Sequence, residues 1–198
     1  HPDTLVFDET YYVKDAYTLA QLGYEGSWPA DANSAFDAGN PDVYLSTPSF
    51  VAHPPLGKWI IAAGLAAFGA DDPFGWRVAV AVTGILLVVL TMAVAHVLLR
   101  RPLLTVIAGG LLAIDGNAIV LSRVALLDTM LAFFALLGVF FVLLDRGRLT
   151  ARLRDHVARH GTSGWGPVVA WRPWLLAAGV AFGLATGVKW SGAYFLAI

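Results

Sequence analysis

The chain contains no cysteine in 198 residues, which excludes a disulfide frame and thiolate metal sites and removes the usual marker of redox compartment. Charge is scarce as well. Only 14% of residues are Asp, Glu, Lys or Arg, against 58% hydrophobic, and mean hydropathy is +0.67, which excludes an ordinary soluble domain. Internal repeats and low-complexity tracts are lacking. The net charge of −1 offers no basic footprint, so no nucleic-acid partner is expected. No His/Glu spacing reads as a zinc motif, and no metal ligands are assigned.

What is present is a set of long apolar runs with segregated charge. Ten of the fourteen acidic residues fall in positions 1–72, and eight of the thirteen basic ones fall in 100–101 and 146–172. These two parts are therefore expected to face different compartments. The chain opens on His1-Pro2 and stops at Ile198 inside an apolar run, so a fragment of a longer protein is expected.

The fold class predicted is an all-α, polytopic membrane helix bundle. Residues 1–72 form a large extramembrane loop carrying juxtamembrane amphipathic helices. In it, Tyr12, Ala16, Leu19, Ala20 and Gly23 recur at helical spacing, with Lys14, Asp15, Thr18 and Gln21 opposite, which predicts a short helix on the membrane surface. Residues 56–69 are apolar but shorter than the ~20 needed to span, hence interfacial or re-entrant. Membrane helices are expected over 74–99, 103–114, 119–144 and 174–198, with an outer turn at 115–117 and a basic cytoplasmic loop over 145–172. Arg100, Arg101 and that loop orient the bundle by the positive-inside rule, with residues 1–72 outside.

Charges inside such helices cost at least ~2.5 kcal/mol at the bilayer centre, so retained ones mark a polar site. Arg77, Arg123 and Lys189 all fall toward the outer leaflet. Arg77 and Arg123 cannot lose their charge and need a carboxylate, carbonyls or a phosphate. Asp128 is five residues beyond Arg123, about 140° around a helix, so each should look to another helix, as an interhelical salt bridge or as a ligand. Asp115 and Asn117 could cap a helix or assist the site. Asp8-Glu9 places two carboxylates on the outer loop, where one desolvated and one solvated could divide acid and base roles; a solvated pair is the simpler reading. In His53-Pro54-Pro55-Leu56-Gly57-Lys58, a lysine in a first helical turn suits a phosphate, or reaches to headgroups, and His53 is either a ligand or a turn residue.

Taken together, the ordered motifs Phe-Asp-Glu-Thr-Tyr-Tyr-Val-Lys-Asp-Ala at 7–16, His-Pro-Pro-Leu-Gly-Lys at 53–58, Gly75-Trp76-Arg77, Leu121-Ser122-Arg123 with Leu127-Asp128, and Gly187-Val188-Lys189-Trp190-Ser191-Gly192 resemble the protein O-mannosyltransferase family, membrane glycosyltransferases of the GT-C type. The resemblance covers nearly the whole chain, and the Ala/Arg/Val/Gly-rich composition suits a bacterial member. It implies a multi-pass enzyme of the cell membrane, or of the endoplasmic reticulum in a eukaryote. On the extracytoplasmic side it would move mannose from polyprenyl-phosphate-mannose to Ser or Thr of a protein, with inversion and no required cofactor. A divalent ion at the carboxylates remains open. Membrane lipids and the secretion translocon stand as further partners.

The resemblance maps the catalytic pair onto Asp8 and Glu9 and the family's arginine onto Arg77. Asp8 is the preferred base, with Glu9 orienting acceptor or sugar. Arg77 and Lys189, with Lys58 and His53, are expected at the lipid phosphate, and Arg123, Asp128, Asp115 and Asn117 behind them. The alternatives are a sister GT-C transferase using another lipid-phosphate sugar, a transporter or channel subunit, or a structural subunit of a membrane assembly.

Overall fold

The computed structural model describes residues 4–161, 169 and 171–197 of the chain. Eight α-helices run in order: α1 (Glu9–Leu22), α2 (Ala32–Asp37), α3 (Leu56–Phe68), α4 (Pro73–Leu99), α5 (Pro102–Ile114), α6 (Gly116–Arg123), α7 (Asp128–His160) and α8 (Pro173–Val188), followed by a 3-10 segment, Trp190–Ala197. Among the described residues there is no strand, only one isolated antiparallel bridge between Gly26 and Pro48. By length and composition α4 and α7 can each cross a membrane. The α5–α6 pair, bent by 61°, can make a third crossing. The protein is thus an all-α membrane bundle.

Local chemistry sets the helix starts. Asp72 caps α4 by accepting the Phe74 N–H at 2.8 Å, and Pro73, which has no N–H to leave unpaired, takes the first helical position. At the other end of α4, Arg100 turns left-handed (φ 52°), and Pro102 opens α5. Gly64 and Gly75 let α3 and α4 touch, since a β-carbon at Gly64 would strike the Gly75 carbonyl.

The core lies where the loop helices meet one end of the bundle. Val13 and Ala16 of α1, Phe36 of α2, Ile61 and Ala62 of α3, Trp76 and Val80 of α4, Leu127 and Met130 at the start of α7, and Val188 at the end of α8 form one buried cluster. Burial of each such large side chain contributes about 1.5–3 kcal/mol. The starts of α4 and α7 and the end of α8 are thereby drawn to a common end of the molecule.

Several expected boundaries change. The single helix expected over 119–144 is broken after Arg123, and α7 begins afresh at Asp128. In the break the Ala125 N–H donates to Glu9 Oε1 at 2.7 Å, across 116 residues, and Thr129 Oγ1 donates to the Leu121 carbonyl at 3.0 Å. A buried carboxylate takes a backbone donor that a continuous helix would have needed. Residues 115–117 form a bent junction between α5 and α6. The helix expected to end at Asp145-Arg146 runs on to His160, because an exposed basic surface is compatible with helix once i to i−4 bonding continues. Residues 162–168 and 170 of the expected basic loop lie outside the described residues. On α1, Ala20 is exposed and Thr18 buried, with Thr18 Oγ1 accepting the Gly26 N–H at 3.0 Å.

Candidate active site

Consecutive residues on a helix point about 100° apart, so Asp8 and Glu9 at the start of α1 part company. Phe7 just before them holds φ +54°, a costly value for a side chain of its size, and sets the angle at which α1 enters the core. Glu9 turns inward and is fully buried. Its Oε1 accepts from Arg77 Nε at 2.8 Å and from the Ala125 N–H at 2.7 Å; its Oε2 accepts from Arg77 Nη2 at 2.7 Å and the Val6 N–H at 3.0 Å. Arg77 Nη2 also donates to the Thr4 carbonyl at 3.0 Å. This is a bidentate, desolvated ion pair with its lone pairs filled. Glu9 and Arg77 are therefore a lock between α1, α4 and the α6–α7 break. Glu9, expected to orient substrate, has its lone pairs taken within the protein, while Arg77, expected at the lipid phosphate, pairs with Glu9 and also lines a cleft with Asp72, Phe74 and Arg123.

Lys58, also expected at the lipid phosphate, is engaged within the protein. It is fully buried in the first turn of α3, and its Nζ lies 2.8 Å from Glu25 Oε1 and 3.0 Å from Asp15 Oδ2. The two carboxylates satisfy the cation that a first helical turn disfavours. Burial pushes the Asp15 carboxyl above its usual range, with Lys58 pulling it back.

Asp8 turns the other way. It is half-buried and lines a cleft of about 610 Å³ with Tyr11, Tyr12, Asp15, Trp28 and Phe50. Tyr12 lies one helical turn on and lines the same cleft; burial first, then the charges of Asp8 and Asp128, push its pKa up to about 12, so it stays protonated beside Asp8. Beside it, the His53 ring lies 5.9 Å from the Tyr12 ring, and its buried Nδ1 has no partner among the described residues. Burial, followed by the charges of Lys189 and Lys58, holds His53 below the ordinary histidine value.

Lys189 ends α8 in extended backbone and donates from Nζ to Asp128 Oδ1 at 2.8 Å. The pair is open: 24% of the Lys189 side chain and 45% of that of Asp128 are exposed. Lys189 Nζ makes no other hydrogen bond among the described residues, so ammonium donors remain for a ligand. Asp8, Tyr12, His53, Asp128 and Lys189 thus form one accessible polar cluster. Arg123 is exposed at the end of α6 and lines clefts along α4. Asp115 caps α6 through the Ala118 N–H at 2.8 Å, and Asn117 is exposed one residue past the α5–α6 junction; neither lines the Asp8 cleft. No three His, Asp or Glu side chains among the described residues are grouped to hold a metal ion.

Sequence reasoning missed Tyr12, although its i+4 spacing from Asp8 was a usable signal. It also missed Asp15 and Glu25 as the partners of Lys58. Glu25 is 33 residues distant, and no local pattern pointed to it.

A helical membrane bundle that sets a carboxylate on a cleft, with an imidazole and an ammonium near enough to sense its charge or each other's, has the makings of a group-transfer site for an anionic substrate. Comparison with known proteins gives the family. The sequence model of dolichyl-phosphate-mannose-protein mannosyltransferases matches residues 42–198, and the chain belongs to that family. It is 38% identical over 198 residues to the polyprenol-phosphate-mannose–protein mannosyltransferase of Mycobacterium tuberculosis, covering 98% of this chain and 34% of the relative. The proteins of the same description from Corynebacterium glutamicum and Mycolicibacterium smegmatis are 37% and 36% identical over 196 and 195 residues, each covering 98% of this chain and 35% and 34% of the relative. The chain thus spans about a third of the length of the curated relatives it matches. No solved structure matches it.

Proposed function

We propose that this chain carries the catalytic carboxylate of an enzyme that transfers mannose from a polyprenyl-phosphate carrier to Ser or Thr hydroxyls of proteins. The observation that carries the reading is the division of labour at Asp8-Glu9: Arg77 neutralises Glu9 in the core, while Asp8 opens onto the cleft beside His53 and Lys189. The relatives' names supply donor and acceptor.

The Asp8 carboxylate accepts the proton of the acceptor hydroxyl as its oxygen attacks the anomeric carbon of mannose. The bond from that carbon to the phosphate oxygen breaks, and the electron pair leaves with the polyprenyl phosphate. Phosphate is a good leaving group, so a second carboxylic acid is unnecessary; cations suffice for the departing charge. Lys189 supplies one, and His53 offers a ring nitrogen as a further donor when protonated on that side. Attack opposite the leaving group inverts the anomeric centre.

The charge pattern supports an extracytoplasmic site. Arg100, Arg101 and the basic end of α7 mark the cytoplasmic end of the bundle, and Asp8, Asp128 and Lys189 lie at the other. The test uses membranes carrying the full-length protein, labelled polyprenyl-phosphate-mannose and a Ser/Thr peptide. Labelled peptide is expected, and Asp8→Asn should abolish labelling at unchanged protein level. Near-normal turnover by Asp8→Asn would overturn the assignment.

A further inference from the structure

The cleft onto which Asp8 opens has a second wall that the transfer chemistry leaves unused. Residues 45–49 run antiparallel to residues 25–27: the Leu45 N–H donates to the Ser27 carbonyl, the Ser27 N–H to the Thr47 carbonyl and the Ser49 N–H to the Glu25 carbonyl, each at 2.8 Å. Beyond Ser49 this ribbon loses its partner. Residues 50–52 are outside any helix or strand, and among the described residues their backbone N–H and C=O groups make no hydrogen bond. Phe50 is 91% exposed, and Phe50 and Ala52 both line the cleft.

Two residues of the cleft wall each carry a buried donor without a partner. Trp28 Nε1 and Ser49 Oγ are shielded from solvent and unbonded, and both residues line the cleft. Trp28 is held rigid by the rings of Tyr17, Phe36 and Tyr44 at 6.3, 6.0 and 5.8 Å, with Lys14 Nζ 5.8 Å over its face. Buried polar groups are seldom left unpaired, so two orphans just within the cleft wall point to a ligand with acceptors of its own that reaches them on binding.

From the unpaired edge and the two orphan donors we infer that the acceptor polypeptide binds here as an added strand, main chain to main chain along residues 50–52, with Trp28 and Ser49 donating to its carbonyls. An acyl chain offers no acceptor to these donors, and a helix has already spent its own backbone groups. An extended peptide supplies carbonyls and N–H groups at the spacing of the edge, about 3.3 Å per residue. Its side chains then alternate, one set entering between Tyr11, Trp28 and Phe50, with the reacting hydroxyl delivered to Asp8. Recognition falls on the backbone of an extended segment, so acceptor sites lie in unfolded or strand-like stretches. The inference rests on the mannosyl-transfer reading for the role of Asp8, but not for the existence of the peptide edge.

The experiment measures equilibrium binding of a short neutral peptide with one Thr to the full-length Asp8→Asn protein in nanodiscs, where no turnover intervenes. Single N-methyl groups are walked along the peptide backbone. Loss of about tenfold in affinity at alternate positions is expected, as one or two hydrogen bonds are removed in one register and none in the other. Phe50→Ala and Ser49→Ala should each weaken binding, and a photoreactive peptide should label residues 48–52. Indifference to every N-methylation, or labelling confined to other segments, overturns the inference. Parallel transfer assays on the unmutated protein separate the two readings. Transfer without methylation dependence removes the strand edge alone; methylation-dependent binding with no transfer removes the mannosyl reading alone.

Discussion

Helices α7 and α8 are tied by an ion pair at each end, and the two pairs are built differently. Asp145 and Arg172 close one end. Asp145 is buried and accepts from Arg172 Nε at 3.0 Å and again from Nη2, while Arg148 lies 4.9 Å over the Trp174 ring and Phe141 stacks behind it at 5.6 Å. Asp128 and Lys189 mark the other end, about 26 Å along α7 at 1.5 Å per residue. They share one hydrogen bond, both are half open, and they sit beside the unpartnered His53 Nδ1 and the Asp8 carboxylate. The two pairs differ at the carboxylate: Asp145 is buried and takes two donors from Arg172, whereas Asp128 is 45% exposed and takes one from Lys189. Glu9–Arg77 and Lys58–Glu25, buried, belong with the Asp145–Arg172 clasp although they flank the open end.

The contrast is broken or sharpened by mutation. The largest effect is expected from Asp8→Asn, a loss of transfer on the order of 10³-fold with thermal stability retained, as fits loss of a general base. Next comes Arg77→Ala, which should cost about 3–5 kcal/mol of stability by stranding the buried Glu9 carboxylate. Unfolding by heat or protease measures it, and Glu9→Gln with Arg77→Met should recover part of the loss. If Arg77→Ala instead raised donor KM at full stability, the closed–open division would fail. Lys189→Ala should do just that, raising donor KM about tenfold, the value of roughly one charge-assisted hydrogen bond. Asp145→Asn should give only a modest fall in melting temperature, with donor KM unmoved.

The smallest effect is a titration. In the folded protein His53 titrates below the ordinary histidine value of 6.5. As pH falls through 6.5 the unfolded chain takes the proton first, so the stability that a neutral His53 contributes is lost toward its folded pKa. A ¹³C-labelled imidazole should show a midpoint below 6.5. In Lys189→Ala that midpoint should rise, because the largest charge acting on the ring has gone.

Much of this was legible in the chain itself. Apolar runs without cysteine and with segregated charge dictated a helical membrane protein, because lipid leaves backbone groups no partner outside a helix or closed barrel. Asp72-Pro73 marked the start of α4, and the ordered motifs indicated the family. Asp8 stood out through its place on the outer loop.

What the folded chain alone decided is which charges are consumed by one another. Glu9 meets Arg77 and Ala125 at separations of 68 and 116 residues, and Lys58 meets Glu25 at 33. Local periodicity reaches a few turns of helix and carries no trace of such meetings, so Arg77, Lys58 and Lys189 look alike in one dimension. Burial in three dimensions separates them. A desolvated charge must be neutralised by whatever the core brings to it, and only one left at an edge with a single partner keeps capacity for a substrate.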